Sequence, residues 1–220
     1  MRLVLLLLAC LLGLSLGASL ERKPHHCKSP PLLTGAFTFA TQNEKAWAYG
    51  GYEYDAMGER IRIFEVGTYD KKNFTYNALL LYREGVMYEI NDQAKTCKKN
   101  PLQTDFKPFG VPANATLLGQ AVIGSSSGPG QGLLVNSWTG QFPNGVKYMM
   151  TMTAFGCIPV SYLYQTKEFG WVSVSYINNV MGIVDPGALN PPPFCSGLEV
   201  QPEGKPVDFF TVIENMRNAP

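Results

Sequence analysis

From Ala46 to Val66 the side chains alternate with a period of two, and that pattern leaves little choice of fold. Across Ala46–Asp55 the aromatic residues Trp47, Tyr49, Tyr52 and Tyr54 are separated by small or polar ones. Met57-Gly58 supplies a turn, and Arg60-Ile61-Arg62-Ile63-Phe64-Glu65-Val66 resumes with strict alternation. Successive strand side chains point to opposite faces, so this stretch predicts a β-hairpin with one face buried. Tyr76–Tyr82 and Val86–Ile90 flank Arg83-Glu84-Gly85 as a second hairpin. Further strands are expected at Leu133–Trp138, Lys147–Phe155, Val160–Tyr164 and Trp171–Ile177. The 22 glycines and 16 prolines among 220 residues punctuate these runs too often for long helices. Eight or more short strands of this kind predict a mainly β domain, an antiparallel sandwich or a half-open, barrel-like sheet. Phe209, Val212, Ile213 and Met216 recur at helical spacing after Asp208, which predicts a short C-terminal helix. Nothing in the chain reads as a repeat or a dividing linker, so residues 18–220 are expected to form one domain with a C-terminal tail.

The start of the chain reads as an export signal. Met1-Arg2 is positive, Leu3–Leu14 is apolar apart from Gly13, and Ser15-Leu16-Gly17 places small residues where a signal peptidase inspects. Cleavage is expected after Gly17. A membrane anchor would want about 20 strongly apolar residues, and this run decays into Gly, Ala and Ser. The stretch from Pro108 to Val146 carries no charge, but its Gly, Ser, Asn and Pro content disqualifies it as a span. The mature chain is therefore expected to be secreted and not membrane-spanning.

Export also simplifies the cysteines. Cys10 leaves with the signal, and Cys27, Cys97, Cys157 and Cys195 remain. An even number in an oxidising compartment implies two disulfides, with three connectivities open. Zinc sites usually contain a C-x₂₋₄-C clip, and no such clip is present. His25-His26-Cys27 is a weak metal triplet, because Cys27 serves better as a disulfide partner.

Catalytic motifs fail on mechanism. Gly124-Ser125-Ser126-Ser127-Gly128 satisfies the serine-hydrolase pattern, yet no histidine follows His26 to act as base, and Pro129-Gly130 blocks the helix such an elbow requires. Glu53, Asp55, Glu59 and Glu65 are read as solvent-facing strand carboxylates rather than a glycosidase pair. No phosphate-binding or dinucleotide fingerprint appears. A net charge of +1 gives no overall field to steer the protein to nucleic acid. The expectation is a protein that is not an enzyme.

Two N-glycosylation sequons, at Asn73 and Asn114, fall outside the expected strand cores. No stretch matches the EF-hand loop, and the acidic clusters Glu53/Asp55/Glu59 and Glu89/Asn91/Asp92 read as solvated turns. Trp47, Tyr49, Trp171 and Tyr176 could line a pocket, although ordinary core packing is the default.

Four ordered blocks carry a family resemblance. Cys27-Lys28-Ser29-Pro30-Pro31-Leu32-Leu33-Thr34-Gly35 resembles the start of the mature ependymins, and Val86-Met87-Tyr88-Glu89-Ile90 with Cys97-Lys98-Lys99 resembles their central strand and cysteine. Gly156-Cys157-Ile158-Pro159-Val160 and the closing Asp185–Cys195 segment complete the match, over a core of about 27–195. The chain is most similar to the fish proteins, since it lacks the extra cysteine pair of the mammalian relatives. The resemblance implies a secreted glycoprotein of extracellular fluid, associated with calcium binding and cell–matrix contact. It implies an antiparallel sandwich like that of bacterial lipoprotein carriers, with a hydrophobic pocket between curved sheets and a tendency to dimerise. It also implies the pairing Cys27–Cys157 and Cys97–Cys195, glycans on Asn73 and Asn114, and calcium held at least partly by acidic glycans. Matrix components and a lipid-like ligand are the expected partners. The alternative is an extracellular or lysosomal carrier of apolar ligands without an adhesion role.

Overall fold

The computed structural model describes residues 24–142, 145–167 and 169–201. The expected export signal and the helix after Asp208 lie outside them. Eleven strands run in chain order: β1 (Leu32–Thr41), β2 (Ala46–Asp55), β3 (Arg60–Tyr69), β4 (Lys72–Leu81), β5 (Val86–Asn91), β6 (Thr96–Pro101), β7 (Thr116–Gly124), β8 (Gly132–Gln141), β9 (Lys147–Thr153), β10 (Pro159–Thr166) and β11 (Gly170–Met181). They form one antiparallel sheet in the order β6-β5-β4-β3-β2-β1-β11-β10-β9-β8-β7. The sheet is mainly hairpins and remains open, with β6 and β7 as its edges. No helix of the described residues is long and apolar enough to cross a membrane.

Alternation places the core on one face. Leu33, Phe37 and Phe39 of β1, Tyr52 and Tyr54 of β2, Ile61 and Ile63 of β3, and Ala78 and Leu80 of β4 are buried together with Trp138, Tyr148, Met150, Tyr162, Val172 and Val174 from the other half. The sheet curls so that Ile61 of β3 and Met150 of β9, five strands apart in the order, reach the same cavity. On β2 the aromatic residues change face at Gly50-Gly51. Tyr52 and Tyr54 are buried, whereas Trp47 and Tyr49 stand on the outer face at 51% and 43% exposure. The inner positions of that half-strand are Ala46, Ala48 and Gly50, whose small size admits Phe37 and Phe39 from the neighbouring strand.

The outer face is partly covered by the segment after β11. Two short 3₁₀ turns, Pro186–Leu189 and Pro193–Cys195, lie there, and Leu189 and Cys195 pack with Leu79, Leu81, Val86, Tyr88 and Ile90 in a second apolar cluster. Cys195 is bonded to Cys97 of β6, with their Cα atoms 5.4 Å apart.

Candidate functional site

The concave face is crossed by the connection between β6 and β7. Pro108 and Pro112 keep this segment from extending the sheet, and its apolar Phe106, Phe109 and Val111 need cover from water. Tyr54 supplies it. The Tyr54 and Phe109 rings stack with centroids 4.3 Å apart and planes 7° from parallel, and the Phe109 N–H donates to the Tyr54 hydroxyl at 3.0 Å. Phe106 packs against Tyr54 and edge-on against Tyr82.

A strap from the N-terminal side holds the same segment. The Ser29 N–H donates to the Phe109 carbonyl at 3.0 Å and the Val111 N–H to the Cys27 carbonyl at 2.8 Å. Gly110 sits between them at φ 151°, and a Cβ there would lie 2.6 Å from the Cys27 carbonyl oxygen, so no side chain fits. The strap is tied in turn to the turn between β9 and β10. Cys27 is bonded to Cys157, their Cα atoms 6.0 Å apart, and the Ser29 hydroxyl donates to the Cys157 carbonyl at 2.7 Å.

Between this segment and the inner face lies a half-open cavity of about 170 Å³. Ile61, Phe109, Met150, Met152, Tyr162 and Tyr176 form its apolar wall, and Asp105 and Lys107 stand on the lining contributed by the crossing segment. Burial pushes the Tyr162 and Tyr176 phenols well above their ordinary range, so both face the cavity as neutral groups. A 150 Å³ apolar cavity admits a benzene-sized ligand, so this one takes a ring or a short alkyl segment, with any longer chain leaving by the open side. Of the four aromatic residues singled out as pocket candidates, Tyr176 alone reaches it. Trp47, Tyr49 and Trp171 are on the outer face, which corrects the core reading for those three, and Trp171 instead borders a shallow outer depression with Tyr148 and Met149. Phe106, Phe109 and the prolines around them were the missed signal, aromatic side chains too apolar for a solvated loop even with Asp105 and Lys107 among them.

Four residues further along β3 from Ile61, about 13 Å away, the inner face carries a carboxyl. Glu65 is 1% exposed and its Oε2 finds no hydrogen-bond partner among the described residues. Burial pushes its pKa up to about 8. Tyr76, directly opposite on β4, also has an unpartnered buried hydroxyl. Its pKa is raised by burial and then by Glu89 and Glu65. The expectation that Glu65 is an outward strand carboxylate is thus corrected. Parity already placed it with Ile61 and Ile63.

Asp55 is likewise buried rather than solvent-facing, and it and the other carboxylates are engaged locally. Asp55 accepts from the Gly58 N–H at 2.7 Å and pairs with Arg60 at 2.6 Å. Burial pushes its pKa up, but these bonds outweigh that and hold it below the usual range. Glu53 accepts from the Asp185 N–H, Glu89 from Asn100 and Asp92 from Asn77. Among the described residues no three His, Cys, Asp or Glu side chains converge in a group that could hold a metal ion. Asn73 is exposed within β4, opposite Thr68, rather than outside a strand. Asn114 precedes β7 and its side-chain amide donates to the Gln141 carbonyl at 3.2 Å. Ser126 lies in the β7–β8 turn, not on a strand-to-helix elbow.

Comparison with known proteins places this geometry. Residues 70–195 match the Ependymin family model. Ependymin-1 of Oncorhynchus mykiss is 31% identical over 88% of this chain and 89% of that protein. Mammalian ependymin-related protein 1 of Mus musculus is 29% identical over 88% of this chain and 85% of that one. A solved structure of an uncharacterized conserved protein from Thermus thermophilus aligns at a TM-score of 0.49 with 6% identity, over 76% of this chain and 86% of that one. With residues 70–195 matched by the family model and most of its length matched by a relative 31% identical, the chain belongs to the ependymin family.

Proposed function

We propose that this protein is a secreted, non-enzymatic glycoprotein that reversibly holds an apolar ligand in the cavity beneath the β6–β7 connection. The observation that carries the reading is the cavity wall, in which Ile61, Met150, Met152 and Phe109 meet neutral phenols while charge is confined to Asp105 and Lys107. Apolar burial contributes about 0.8 kcal/mol per methylene, so four or five methylenes yield roughly 3–4 kcal/mol before association costs. Those costs are several kcal/mol, which makes the binding weak and reversible unless a polar headgroup meets Asp105 or Lys107. Titration with a fluorescent fatty acid tests this. Saturation near one ligand per chain, reversed by unlabelled fatty acid, is the expected result, and non-saturable uptake overturns the reading.

Calcium binding and matrix contact are proposed to run through the glycans. Asp55, Glu53, Glu89 and Asp92 are each occupied by a local donor, whereas calcium needs six or more convergent oxygens. Enzymatic removal of sialic acid is expected to abolish most calcium uptake. Undiminished uptake by fully deglycosylated, folded protein rejects the glycan route.

A further inference from the structure

The two sequons sit in different surroundings. Asn114 precedes β7, and its side-chain amide is already engaged with the Gln141 carbonyl. Asn73 and Thr75 are both exposed on β4, two residues apart and therefore on one face. Register identifies that face. Asn73 lies opposite Thr68, which lies opposite Trp47, and Thr75 lies opposite Val66, which lies opposite Tyr49. Directly opposed residues share a face, so the sequon stands with both outward aromatic rings on the outer side of the sheet.

Asn73 is thus two strands from Trp47, about 10 Å at the usual strand spacing. Thr68, between them, is half-buried and presents no bulk. On the far side of the rings the sheet is low, with Ala40 and Thr38 opposite them on β1 and then Ser173 and Ser175 on β11. Trp47 and Tyr49 therefore stand above a floor of small side chains. Phe64, 46% exposed, and Val66, 39% exposed, extend the patch along β3. None of these positions is charged. A group of large apolar side chains on one open face marks a surface that something covers.

We propose that this outer aromatic patch seats the glycan on Asn73, whose first sugar rings cross Thr68 and lie on Trp47 and Tyr49. The inference rests on the glycoprotein reading above and says what the glycan does at this position. An N-acetylglucosamine ring carries C–H groups on its faces, which pack on an indole or phenol ring while its hydroxyls and acetamido group stay in water. Such contacts are weak one by one. Covalent attachment removes the need for strength, because a short tether that matches the span holds its end at about millimolar effective concentration. A free sugar, a lipid or a second copy must meet the whole cost of association from its own contacts. Attachment therefore decides the occupant. Seated there, the glycan stays on the face opposite the cavity.

Hydroxyl-radical footprinting of the secreted, disulfide-intact protein tests this, with peptide mass spectrometry reading both Asn73 occupancy and oxidation of each side chain. The native protein is compared with folded protein after enzymatic removal of its glycans and with Asn73→Gln. Trp47 and Tyr49 are expected to oxidise roughly threefold more slowly in the native protein than in either glycan-free sample. Phe155, exposed in the β9–β10 turn, should oxidise alike in all three. Asn114→Gln should leave the protection of Trp47 intact. An unoccupied Asn73 overturns the glycoprotein reading at this site and the inference with it. An occupied Asn73 with equal oxidation of Trp47 across the samples overturns the inference alone: uniformly fast oxidation leaves the patch bare, and uniformly slow oxidation assigns it to another occupant, such as a second copy.

Discussion

The two ends of the concave face use the same strands to opposite effect. At the Ile61 end the wall is apolar and the space is left open, because the β6–β7 connection roofs it without filling it. At the Glu65 end the face is packed: Gly50 leaves room for Phe37 and Glu65, and a Cβ in its place would lie 2.9 Å from the Phe37 ring and 3.0 Å from Glu65 Cγ. The open end forgoes packing and gains a place for a ligand. The closed end gains packing and bears a carboxyl that must remain protonated to stay comfortably buried. Stability and binding should therefore respond to different residues.

The largest expected effect comes from the packed end. Burial raises the Glu65 pKa from the ordinary 4.5 to about 8, so between those values the folded chain keeps a proton that the unfolded chain has released. Stability from this group is complete below about pH 4.5 and is lost as pH rises to about 8, by an upper figure of about 5 kcal/mol. Urea unfolding at pH 5 and pH 8 should show the decline, and Glu65→Gln should flatten it without changing fatty-acid affinity. A wild-type curve with no fall across that range breaks the comparison. Next comes the tie at the open end. Cys27→Ser with Cys157→Ser removes a bond spanning 130 residues, for which about 2–5 kcal/mol is expected from denaturant midpoints. Because the strap holds the cavity roof, fatty-acid affinity should fall at least tenfold as well, an effect Glu65→Gln should not share. Phe109→Ala separates roof from frame: a half-buried ring should cost about 1–3 kcal/mol, while the ligand titration loses its saturation. The smallest effect belongs to the outer face. Trp47→Ser in the chain without its glycans should shift stability by no more than about 0.5 kcal/mol and leave binding intact. A large loss there would mean that the polypeptide covers the outer aromatic residues after all.

Much of the sheet is legible in the sequence. Alternation predicts β2 at its observed limits, β3 and β5 within three residues at one end, and β11 short by one residue at its start and four at its end, since a strict period of two reports a face that is buried on one side only. β1, β6 and β7 escape it for separate physical reasons. β1 is interrupted by Gly35, which yields space to the Tyr52 ring. β6 wears edge lysines that read as a turn, and β7 is exposed on both faces, so neither shows the contrast that alternation needs. The cavity is less legible. Its roof depends on Tyr54 meeting Phe109 across 55 residues, and no local pattern in either segment records that contact. The face of Trp47 and Tyr49 is hidden because aromatic residues occupy both parities of β2, and the small residues opposite Phe37 and Phe39 settle which parity is inside.

The strand order also sets a timetable for synthesis. Nine of the ten strand pairings among the described residues join neighbours in the chain and can form as soon as each hairpin emerges. The tenth, β1 with β11, matches Thr41 to Val172. At about 5–20 residues per second, the roughly 130 residues between them take on the order of 7–26 seconds to appear. Through that interval the nascent first half, β1 to β6, presents the free edge of β1 with Phe37 and Phe39 beside it. That makes the wait for β11 the period in which a holding chaperone matters most, and it makes truncation before Gly170 more damaging than the few strands lost would suggest.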